Sequence, residues 1–330
     1  MTLETLFEEF KTKKIIVLGD VMIDAYLSGR VDRMSPEAPV PIVNFSKREE
    51  RLGGAANVAL NLISLGAQVT MSTVIGQDPE AETMIQLLEK HAISTSGVIR
   101  SKERQTTIKT RVIGNNQQLL RVDQEQTDGI SKSEEEALIN DLEELLKLGC
   151  DVLIFQDYNK GVLTKTLIGR VIALTKQYGV LTTVDPKLKN FLAYKGVTLF
   201  KPNLKELSEG LQMKIDFAND LPQFEKAINE LKSIADPDIV FVTLSEHGVF
   251  IANKKDRHYI PAHKRTISDV SGAGDTVISV ATLCLAAGLS IETLAAIANL
   301  AGGIVCEYRG VVAIKATELL DEAKKLNIKC

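Results

Sequence analysis

Disulfide bonds, zinc ligation and membrane insertion find little support in this chain of 330 residues. Its four cysteines lie far apart, with no CxxC pair and no histidine at metal-ligand spacing. Its longest apolar run, residues 277–289, is shorter than the roughly 20 residues that a membrane-spanning helix needs, and residues 1–14 lack the apolar core of a signal peptide. We therefore expect a cytoplasmic protein with reduced thiols, in which the apolar run forms a buried helix.

An excess of positive charge is also missing. Lys and Arg total 39 against 43 Asp and Glu, so the formal net charge is −4. Without a net positive field, neither nucleic acid nor an anionic membrane is an expected partner. The composition, 45% hydrophobic and 25% charged, is that of a globular chain, so any anionic ligand must be held by a local cluster of cations.

Several catalytic motifs are absent as well. No GxGxxG follows a strand pattern, which argues against a dinucleotide-binding Rossmann site, and no GxxxxGK[ST] is present, which excludes the P-loop kinases. The motifs GxSxG and HExxH, typical of α/β-hydrolases and zinc proteases, do not occur. Any chemistry has to come from other residue patterns.

The apolar pattern alternates between strands and helices. Short β-branched or apolar runs bounded by Gly, Asp or Pro predict buried strands at residues 14–19, 69–76, 151–155, 180–185, 197–201 and 239–244. Segments with helical periodicity lie between most of them, at 55–65, 79–91, 132–148, 164–178, 221–234, 273–287 and 291–307. This alternation predicts an α/β fold with a parallel sheet covered on both faces.

Two stretches interrupt the alternation. Residues 25–45 carry three prolines among alternating apolar positions, and proline confines a strand to an edge or a bulge. Residues 106–123 alternate similarly around a turn at Gly114, Asn115 and Asn116. We expect these stretches to form a small antiparallel lid inserted into a single domain that spans residues 1–330. The alternative is an ordinary extension of one sheet.

The most informative string is Asp269-Val-Ser-Gly-Ala-Gly-Asp275, which is followed by an apolar helix. A helix N-terminus presents free N–H groups and the positive end of a dipole, and Gly272 and Gly274 leave room for a phosphate against the backbone. Asp275 then suits the role of a base that accepts a proton from an attacking hydroxyl. The alternative is structural, because an acid in the first turn also stabilises a helix.

Two further patterns suit a sugar. The adjacent glycines Gly53 and Gly54 precede a helix and permit close approach of a ligand to the backbone, and the Asn57 amide suits vicinal hydroxyls. Asp24 follows the first strand at the carboxyl edge of the sheet, where α/β folds bind ligands. Each pattern also has a structural alternative: a glycine turn into a packed helix, and a solvated loop acid.

Asn203 and Glu206 begin a short helix after a strand that ends at Pro202. Three residues apart, they share one helical face and offer the hard oxygen ligands that suit magnesium-bound water and phosphate. The same pair also fits a variant of the capping box, in which each side chain bonds to the other residue's backbone. Both interpretations remain open.

Taken together, these strings resemble the signatures of the ribokinase-like (phosphofructokinase B type) sugar kinases. The three signatures occur in that family's order: Gly53-Gly54-x-x-Asn57, Asn203-x-x-Glu206 and Asp269-x-x-Gly-Ala-Gly-Asp275. Other strings are similar to those of the D-glycero-β-D-manno-heptose 7-phosphate kinase branch: Met34-Ser-Pro-Glu-Ala-Pro-Val-Pro41, Arg111 with Asn116-Gln-Gln-Leu119 and Arg121, Asp157-Tyr-x-Lys-Gly161, and Asp185-Pro-Lys187. The resemblance covers nearly the whole chain.

The resemblance implies a three-layer sandwich with a central, mostly parallel sheet and a small β lid. It implies an enzyme that uses ATP and Mg²⁺ to phosphorylate D-glycero-β-D-manno-heptose 7-phosphate at O1, giving the 1,7-bisphosphate for ADP-heptose and lipopolysaccharide core synthesis. The chain lacks the HxGH of the adenylyltransferase often fused to this kinase, so it resembles the stand-alone kinase. Lid strands of related kinases pair between subunits, which implies a homodimer.

The resemblance also implies which residues act on which ligand. Asp275 would be the base, beside an anion hole at Gly272, Ala273 and Gly274. The sugar would contact Asp24, Gly53, Gly54 and Asn57. ATP would lie near Asn203, Glu206, Thr243, Ser245, Gly248 and Asn299. Asn203 and Glu206 would hold magnesium through water, and Asp269 would contribute to a monovalent-cation site for K⁺.

The far phosphate of such a substrate needs cations. Four basic residues near the predicted lid or sheet edge are candidates: Arg111, Arg121, Lys160 and Lys187. Lys187 is favoured because Pro186 fixes it just after a strand, and Lys160 because it lies in a turn that ends at Gly161. Each alone also fits an ordinary surface charge.

Two positions depart from the family pattern. Ser245 stands where many members have glycine, and Gln156 replaces the smaller residue expected before Asp157. Two other functions also remain open: a kinase of the same fold that acts on fructose 1-phosphate or ribose, and a sensor of nucleotide or sugar that lacks catalysis.

Overall fold

A computed structural model describes residues 1–329. Its α-helices are α1 (Leu3–Phe10), α2 (Ala55–Ser64), α3 (Pro79–Lys90), α4 (Lys132–Lys147), α5 (Lys165–Gln177), α6 (Leu204–Leu211), α7 (Leu221–Ala235), α8 (Ala273–Ala286), α9 (Ile291–Val305) and α10 (Ala316–Lys325). Its strands are β1 (Lys14–Gly19), β2 (Val21–Met34), β3 (Pro41–Gly54), β4 (Gln68–Ile75), β5 (Ser94–Arg100), β6 (Ile108–Gly114), β7 (Gln117–Gln124), β8 (Val152–Gln156), β9 (Leu181–Asp185), β10 (Leu199–Phe200), β11 (Ile239–Thr243), β12 (Val249–Ala252) and β13 (Arg257–Ile260).

The larger sheet has nine strands in the order β13-β12-β11-β10-β9-β8-β1-β4-β5. The strands from β11 to β5 run parallel, and β12 and β13 add an antiparallel edge. This confirms the predicted α/β class. Strands β5, β12 and β13 were not predicted, because their short or polar sequences carry a weak alternation signal.

Both faces of this sheet are buried. Along β1, Ile15 and Val17 belong to the core that contains α1, α2, α3, α8, α9 and α10, whereas Ile16 and Leu18 belong to the core under α4, α5, α6 and α7. Because successive side chains of a strand point to opposite faces, β1 is apolar throughout and supports a helix layer on each side. The structure is thus the three-layer sandwich expected from the resemblance.

The apolar run at residues 277–289 begins inside α8, whose residues from Asp275 to Cys284 are all buried. Helices α2 and α9 pack against this helix, so it needs no polar face. Within residues 1–329 no helix has both the length and the hydropathy that crossing a lipid bilayer requires.

The smaller sheet contains β2, β3, β6 and β7 and is separate from the larger one. Strands β2 and β3 form a long hairpin whose turn holds Pro36 and Pro39, and Pro41 begins the edge strand β3. Asn115 and Asn116, with φ of 52° and 64°, form the tight left-handed turn between β6 and β7.

The expectation of a purely antiparallel lid was wrong. Strand β6 runs parallel to β2, although both are antiparallel to their hairpin partners. The chain passes through α2, β4, α3 and β5 before returning as β6, and such a crossover lets a strand enter in the same direction as its neighbour. The lid strands also extend to Gly54, beyond the expected residue 45.

Candidate active site

Two cavities meet at the carboxyl edge of the larger sheet. The smaller cleft, about 310 Å³, is lined by Met22, Asp24, Gly53, Gly54, Asn57, Lys109, Arg111, Tyr158, Lys160, Gly272, Asp275 and Val311. The larger cleft, about 1220 Å³, extends over α6 and the start of α8. Tyr158, Gly272 and Asp275 line both, so the Asp275 carboxylate lies at the junction of two binding spaces.

Three side chains from other elements hold the Asp275 carboxylate. Asn57 Nδ2 donates to Oδ2 at 2.7 Å, the Tyr158 hydroxyl donates to Oδ1 at 2.7 Å, and Gln156 Nε2 donates to Oδ1 at 3.2 Å. Gly272 is the N-cap residue of α8 and offers no side-chain cap, and the Asp275 oxygens bond to these three side chains rather than to the N–H groups of the helix. Its oxygens are oriented by α2 and by the end of β8.

Burial raises the pKa of Asp275 to about 6, and the nearby Asp185 carboxylate adds to this effect. The hydrogen bonds from Asn57 and Tyr158, and the Lys201 ammonium, oppose it. Burial, followed by the Asp275 charge, raises the pKa of Tyr158 well above its usual range, so its hydroxyl keeps its proton as a donor. A carboxylate with a pKa near 6 is suited to accept a proton at neutral pH.

We expect kcat/KM to depend on pH through this carboxylate. Protonation removes the base, so activity should rise about tenfold per pH unit below pH 6 and level off above it. Initial rates between pH 4.5 and 8.5 at constant ionic strength measure this pH dependence.

The control is Asp157→Asn. Burial also raises the pKa of Asp157 to about 6, but Asp157 bonds to Tyr194 and Asn190 and lines neither cleft. The Asp157→Asn variant should show the same loss of activity below pH 6. If its activity no longer fell below pH 6, the pH dependence would belong to Asp157 instead of Asp275.

The glycines at the start of α8 leave the backbone accessible. Gly272 has φ of 81°, a left-handed conformation that favours glycine, and it is the N-cap of a helix whose first residues line the larger cleft. A Cβ on Gly274 would lie 3.8 Å from both Asp185 Oδ2 and Lys201 Nζ, which are 3.0 Å apart. The backbone that is expected to bind an anion is therefore flanked by the buried Lys201 ammonium group.

The smaller cleft brings together most of the residues expected to contact a sugar. Gly53 has no room for a side chain, since a Cβ there would lie 2.3 Å from Asp24 Oδ2. Asp24 Oδ1 accepts a hydrogen bond from Arg111 Nη1 at 2.6 Å. Asn57 Oδ1 is buried and accepts no hydrogen bond, which leaves an acceptor that suits the hydroxyl of a sugar.

The larger cleft contains every residue that the resemblance implies for ATP, namely Asn203, Glu206, Thr243, Ser245, Gly248 and Asn299. Ser245 has φ of 53°, which explains why glycine is common at this position in the family. The Asn299 amide donates to the Pro261 carbonyl at 2.9 Å, which fixes its side chain at the wall.

Asn203 and Glu206 form the capping box. Asn203 Oδ1 accepts from the Glu206 N–H at 2.8 Å, and Glu206 Oε2 accepts from the Asn203 N–H at 2.9 Å. The other oxygen, Glu206 Oε1, bonds to Lys187.

The residues from 1 to 329 include no group of three or more His, Cys, Asp or Glu that surrounds a metal position. Asp185 Oδ1, buried in this cleft without a hydrogen-bond donor, adds a hard oxygen that fits magnesium.

Two of the four cations considered for the substrate phosphate lie away from the smaller cleft. Lys187 lines the larger cleft, where its ammonium bonds to Glu206 and lies 5.7 Å from the centre of the Tyr158 ring. Arg121 is half-exposed on β7 and bonds to Asp123. Lys187, just after β9, thus lies in the larger cleft, whereas Arg111 and Lys160 line the smaller one.

Four side chains at this site were not predicted from the sequence: Gln156, Tyr158, Lys109 and Lys201. Gln156 and Tyr158 contact Asp275. The sequence pointed to Gln156 only through its departure from the smaller residue expected at that position. Lys201 is buried against Asp185, and Lys109 lines the smaller cleft. The contacts of Gln156 and Tyr158 with Asp275 join residues more than 100 positions apart, so spacing along the chain did not reveal them.

Comparisons with known proteins agree with this architecture. The pfkB family carbohydrate kinase profile matches residues 12–318. The bifunctional protein HldE of Desulfatibacillum aliphaticivorans is 40% identical over 311 residues, covering 94% of this chain and 63% of that protein. HldE of Helicobacter pylori strain HPAG1 is 39% identical over 307 residues, covering 93% and 65%. The chain thus spans slightly less than two thirds of the length of these relatives.

Solved structures share the fold at low sequence identity. Phosphofructokinase-2 from Escherichia coli in complex with potassium has a TM-score of 0.77 at 19% identity, covering 96% of this chain and 99% of that one. Arabidopsis thaliana ribokinase complexed with ribose and ATP has a TM-score of 0.70 at 15% identity, covering 94% and 97%.

The fold and the comparisons define a sugar kinase, a phosphotransferase with an alcohol group as acceptor. The chain belongs to the pfkB family of carbohydrate kinases.

Proposed function

We propose that the protein transfers the γ-phosphoryl group of ATP to O1 of D-glycero-β-D-manno-heptose 7-phosphate, giving the 1,7-bisphosphate. The observation that carries this proposal is the oriented Asp275 carboxylate at the junction of the two clefts. The larger cleft takes ATP and the smaller cleft takes the sugar. The relatives named HldE, at about 40% identity, support a heptose as substrate and a role in ADP-heptose and lipopolysaccharide synthesis.

In this mechanism the sugar O1–H donates its proton to Asp275 while O1 attacks the γ-phosphorus. The bond between the γ-phosphorus and the bridging oxygen of ATP breaks, and ADP leaves with that oxygen. Asn57 and Tyr158 orient the carboxylate, and the N–H groups at the start of α8 stabilise charge on the transferring group. Asn203 and Glu206 would hold magnesium through water, with Asp185 as a further oxygen, and the ion would supply positive charge to the phosphates of ATP. Positioning and electrostatics supply most of the acceleration.

A panel of sugars and sugar phosphates with ATP tests the substrate. We expect turnover with the heptose 7-phosphate, and phosphorus NMR of the product should show a new anomeric phosphate. Preference for fructose 1-phosphate or ribose would replace the heptose with another substrate of the same kinase class. If no sugar in the panel stimulated ATP consumption, the result would instead support a non-catalytic sensor of nucleotide or sugar. The Asp275→Asn variant provides the background rate of ATP consumption.

A monovalent-cation site beside the anion loop is part of the same proposal. Asp269 Oδ1 and Oδ2 accept hydrogen bonds from the N–H groups of Ser271 and Gly310, which fixes this carboxylate next to the loop. The potassium complex of E. coli phosphofructokinase-2 supports K⁺ as the ion. We also place the enzyme in the cytoplasm, where ATP and sugar phosphates are found.

We further propose a homodimer that forms through the lid, since the smaller sheet exposes Phe45, Leu120 and Val122, each more than half exposed. Leu120 and Val122, two apart on β7, point to one face, where a second lid can cover them. The tetrameric form of E. coli phosphofructokinase-2 supports assembly in general.

Replacing both Leu120 and Val122 with Glu should convert the dimer into a monomer, because the substitution places charges in an apolar interface. Size-exclusion chromatography with light scattering measures the mass. The matched control is Leu148→Glu, which changes an exposed leucine after α4 and should leave the mass unchanged. A double variant that remains dimeric would contradict an interface at this face.

A further inference from the structure

The smaller cleft carries a charge cluster that phosphoryl transfer does not use. Lys109, on the lid strand β6, and Lys160, in the loop after β8, both line this cleft. The Glu125 carboxylate joins them: Glu125 Oε2 lies 2.7 Å from Lys109 Nζ, and Glu125 Oε1 lies 2.7 Å from Lys160 Nζ. Lys109 has a second partner, since Asp123 Oδ2 lies 2.8 Å from its ammonium nitrogen. We call Lys109 and Lys160 the lysine pair.

The backbone on each side of the lysine pair is held firmly. Asp20 Oδ2 accepts from the N–H groups of Tyr158 at 2.9 Å and of Lys160 at 3.0 Å, and Asp20 Oδ1 accepts from Val162 at 2.9 Å. Lys109 lies in the centre of the lid, directly paired with Asp24 of β2 in the strand register. Both ammonium groups therefore enter the cleft from positions fixed by other contacts.

The other charges of the cleft are already committed. Arg111 bonds to Asp24 and lies 5.3 Å from the centre of the Tyr26 ring, and Asp275 is held by its three donors. The lysine pair is different, because its shared partner Glu125 does not line the cleft and follows β7 outside any helix or strand. A ligand anion can take the place of this carboxylate without disturbing the base.

The chemistry of the lysine pair selects a dianion. Two ammonium groups at one carboxylate offer several N–H donors and two positive charges, which a phosphate can share among its oxygens. A neutral hydroxyl in place of Glu125 would leave the Lys160 ammonium without this carboxylate and leave Lys109 with Asp123 as its remaining partner, in a partly buried cleft. The negative charge of the sugar's phosphate, and not its shape alone, therefore decides which sugars displace the Glu125 carboxylate.

We propose that Lys109 and Lys160 bind the phosphate that the sugar substrate already carries, and that Glu125 holds the lysine pair together until this phosphate replaces it. This inference rests on the proposed function, because it assigns a group of that substrate to a place in the smaller cleft. It makes the enzyme selective for phosphorylated sugars and names Lys109 and Glu125 as specificity residues.

Methionine substitutions of the lysine pair test the binding role. Lys109→Met and Lys160→Met should each raise KM for the heptose 7-phosphate about ten- to a hundredfold, as loss of a charged hydrogen bond does, and leave KM for ATP within about twofold. Lys147→Met is the matched control, since Lys147 is exposed on α4 and pairs only with glutamates of its own helix. Unchanged KM for the sugar in both variants would overturn the proposal.

Glu125→Gln tests replacement, because it predicts a change in the opposite direction. Removing the competing carboxylate should lower KM for the sugar phosphate about three- to tenfold and make inorganic phosphate a stronger competitive inhibitor against the sugar. If Glu125 merely maintained the structure, KM would rise together with a lower melting temperature. An increase in KM, or no change, would overturn the role of Glu125.

The substrate panel separates this inference from the proposed function. If the wild-type enzyme prefers another phosphorylated sugar, the heptose assignment fails, and the same variants measured with that sugar still decide the role of the lysine pair. If the wild-type enzyme prefers an unphosphorylated sugar, the lysine pair does not serve a substrate phosphate and the inference is overturned.

Discussion

Asp275→Asn should lower kcat by about 10² to 10⁴ while the fold is retained, because the asparagine side chain cannot accept the proton of the attacking hydroxyl. The substitution keeps the size of the side chain, and the Tyr158 hydroxyl can rotate to accept a hydrogen bond. KM values for ATP and sugar should change little, since the clefts keep their walls. Steady-state ADP release measures the rate, and circular dichroism with a thermal melt verifies the fold.

The matched control for this change is Asp220→Asn. Asp220 also lies at the start of a helix, where it accepts from the Gln223 N–H at 3.0 Å, but it lines neither cleft. The substitution should leave both stability and kcat nearly unchanged, because asparagine caps a helix about as well as aspartate does. Activity of Asp275→Asn within threefold of the parent enzyme would remove Asp275 from the role of base.

Asp24→Ala should lower kcat/KM for the sugar about a hundredfold, mainly through KM. Asp24 is buried in the smaller cleft, and its carboxylate is the group we expect to accept hydrogen bonds from sugar hydroxyls, each worth ~1.5–3 kcal/mol when one partner is charged. The substitution also leaves Arg111 without its carboxylate partner. KM for ATP should stay the same, since Asp24 does not line the larger cleft.

Asp32→Ala provides the comparison on the same strand. Asp32 is exposed near the end of the lid hairpin and pairs with Arg30. Exposed ion pairs contribute about 0–1 kcal/mol, so neither stability nor KM should change measurably. If Asp24→Ala left KM for the sugar as unaffected as Asp32→Ala does, the smaller cleft would not be the sugar site.

Most strands and helices that flank the site follow from local sequence. The apolar run of β1 and the apolar stretch of α8 predict that both elements are buried, because apolar side chains on every face are removed from water only in the core. Asp78 followed by Pro79 begins α3 through a side-chain cap and a fixed φ, and both signals act within one turn of helix. Periodicity and capping depend on residues close together in the chain, so they can be predicted without knowing the fold.

The contacts among functional residues were less predictable. Gln156 stood out only as a departure from a family pattern, and its bond to Asp275 joins residues 119 positions apart. Lys187 was expected near the substrate phosphate, yet it lies in the larger cleft beside Glu206. Such outcomes depend on strand order and on the direction of each side chain, which spacing along the chain does not encode.

The amino-acid sequence by itself determined the α/β class, the glycine turn before α8 that we propose binds an anion, and the residue types that we propose exchange protons and bind phosphate there. Only the tertiary structure decided which of them meet: that Tyr158 and Gln156 hold the base, that Lys187 faces the larger cleft, and that Glu125 joins Lys109 to Lys160. Backbone preferences and apolar periodicity act over a few residues. A site assembled from two sheets and the ends of several helices exists only after long-range packing has set the positions of all of them.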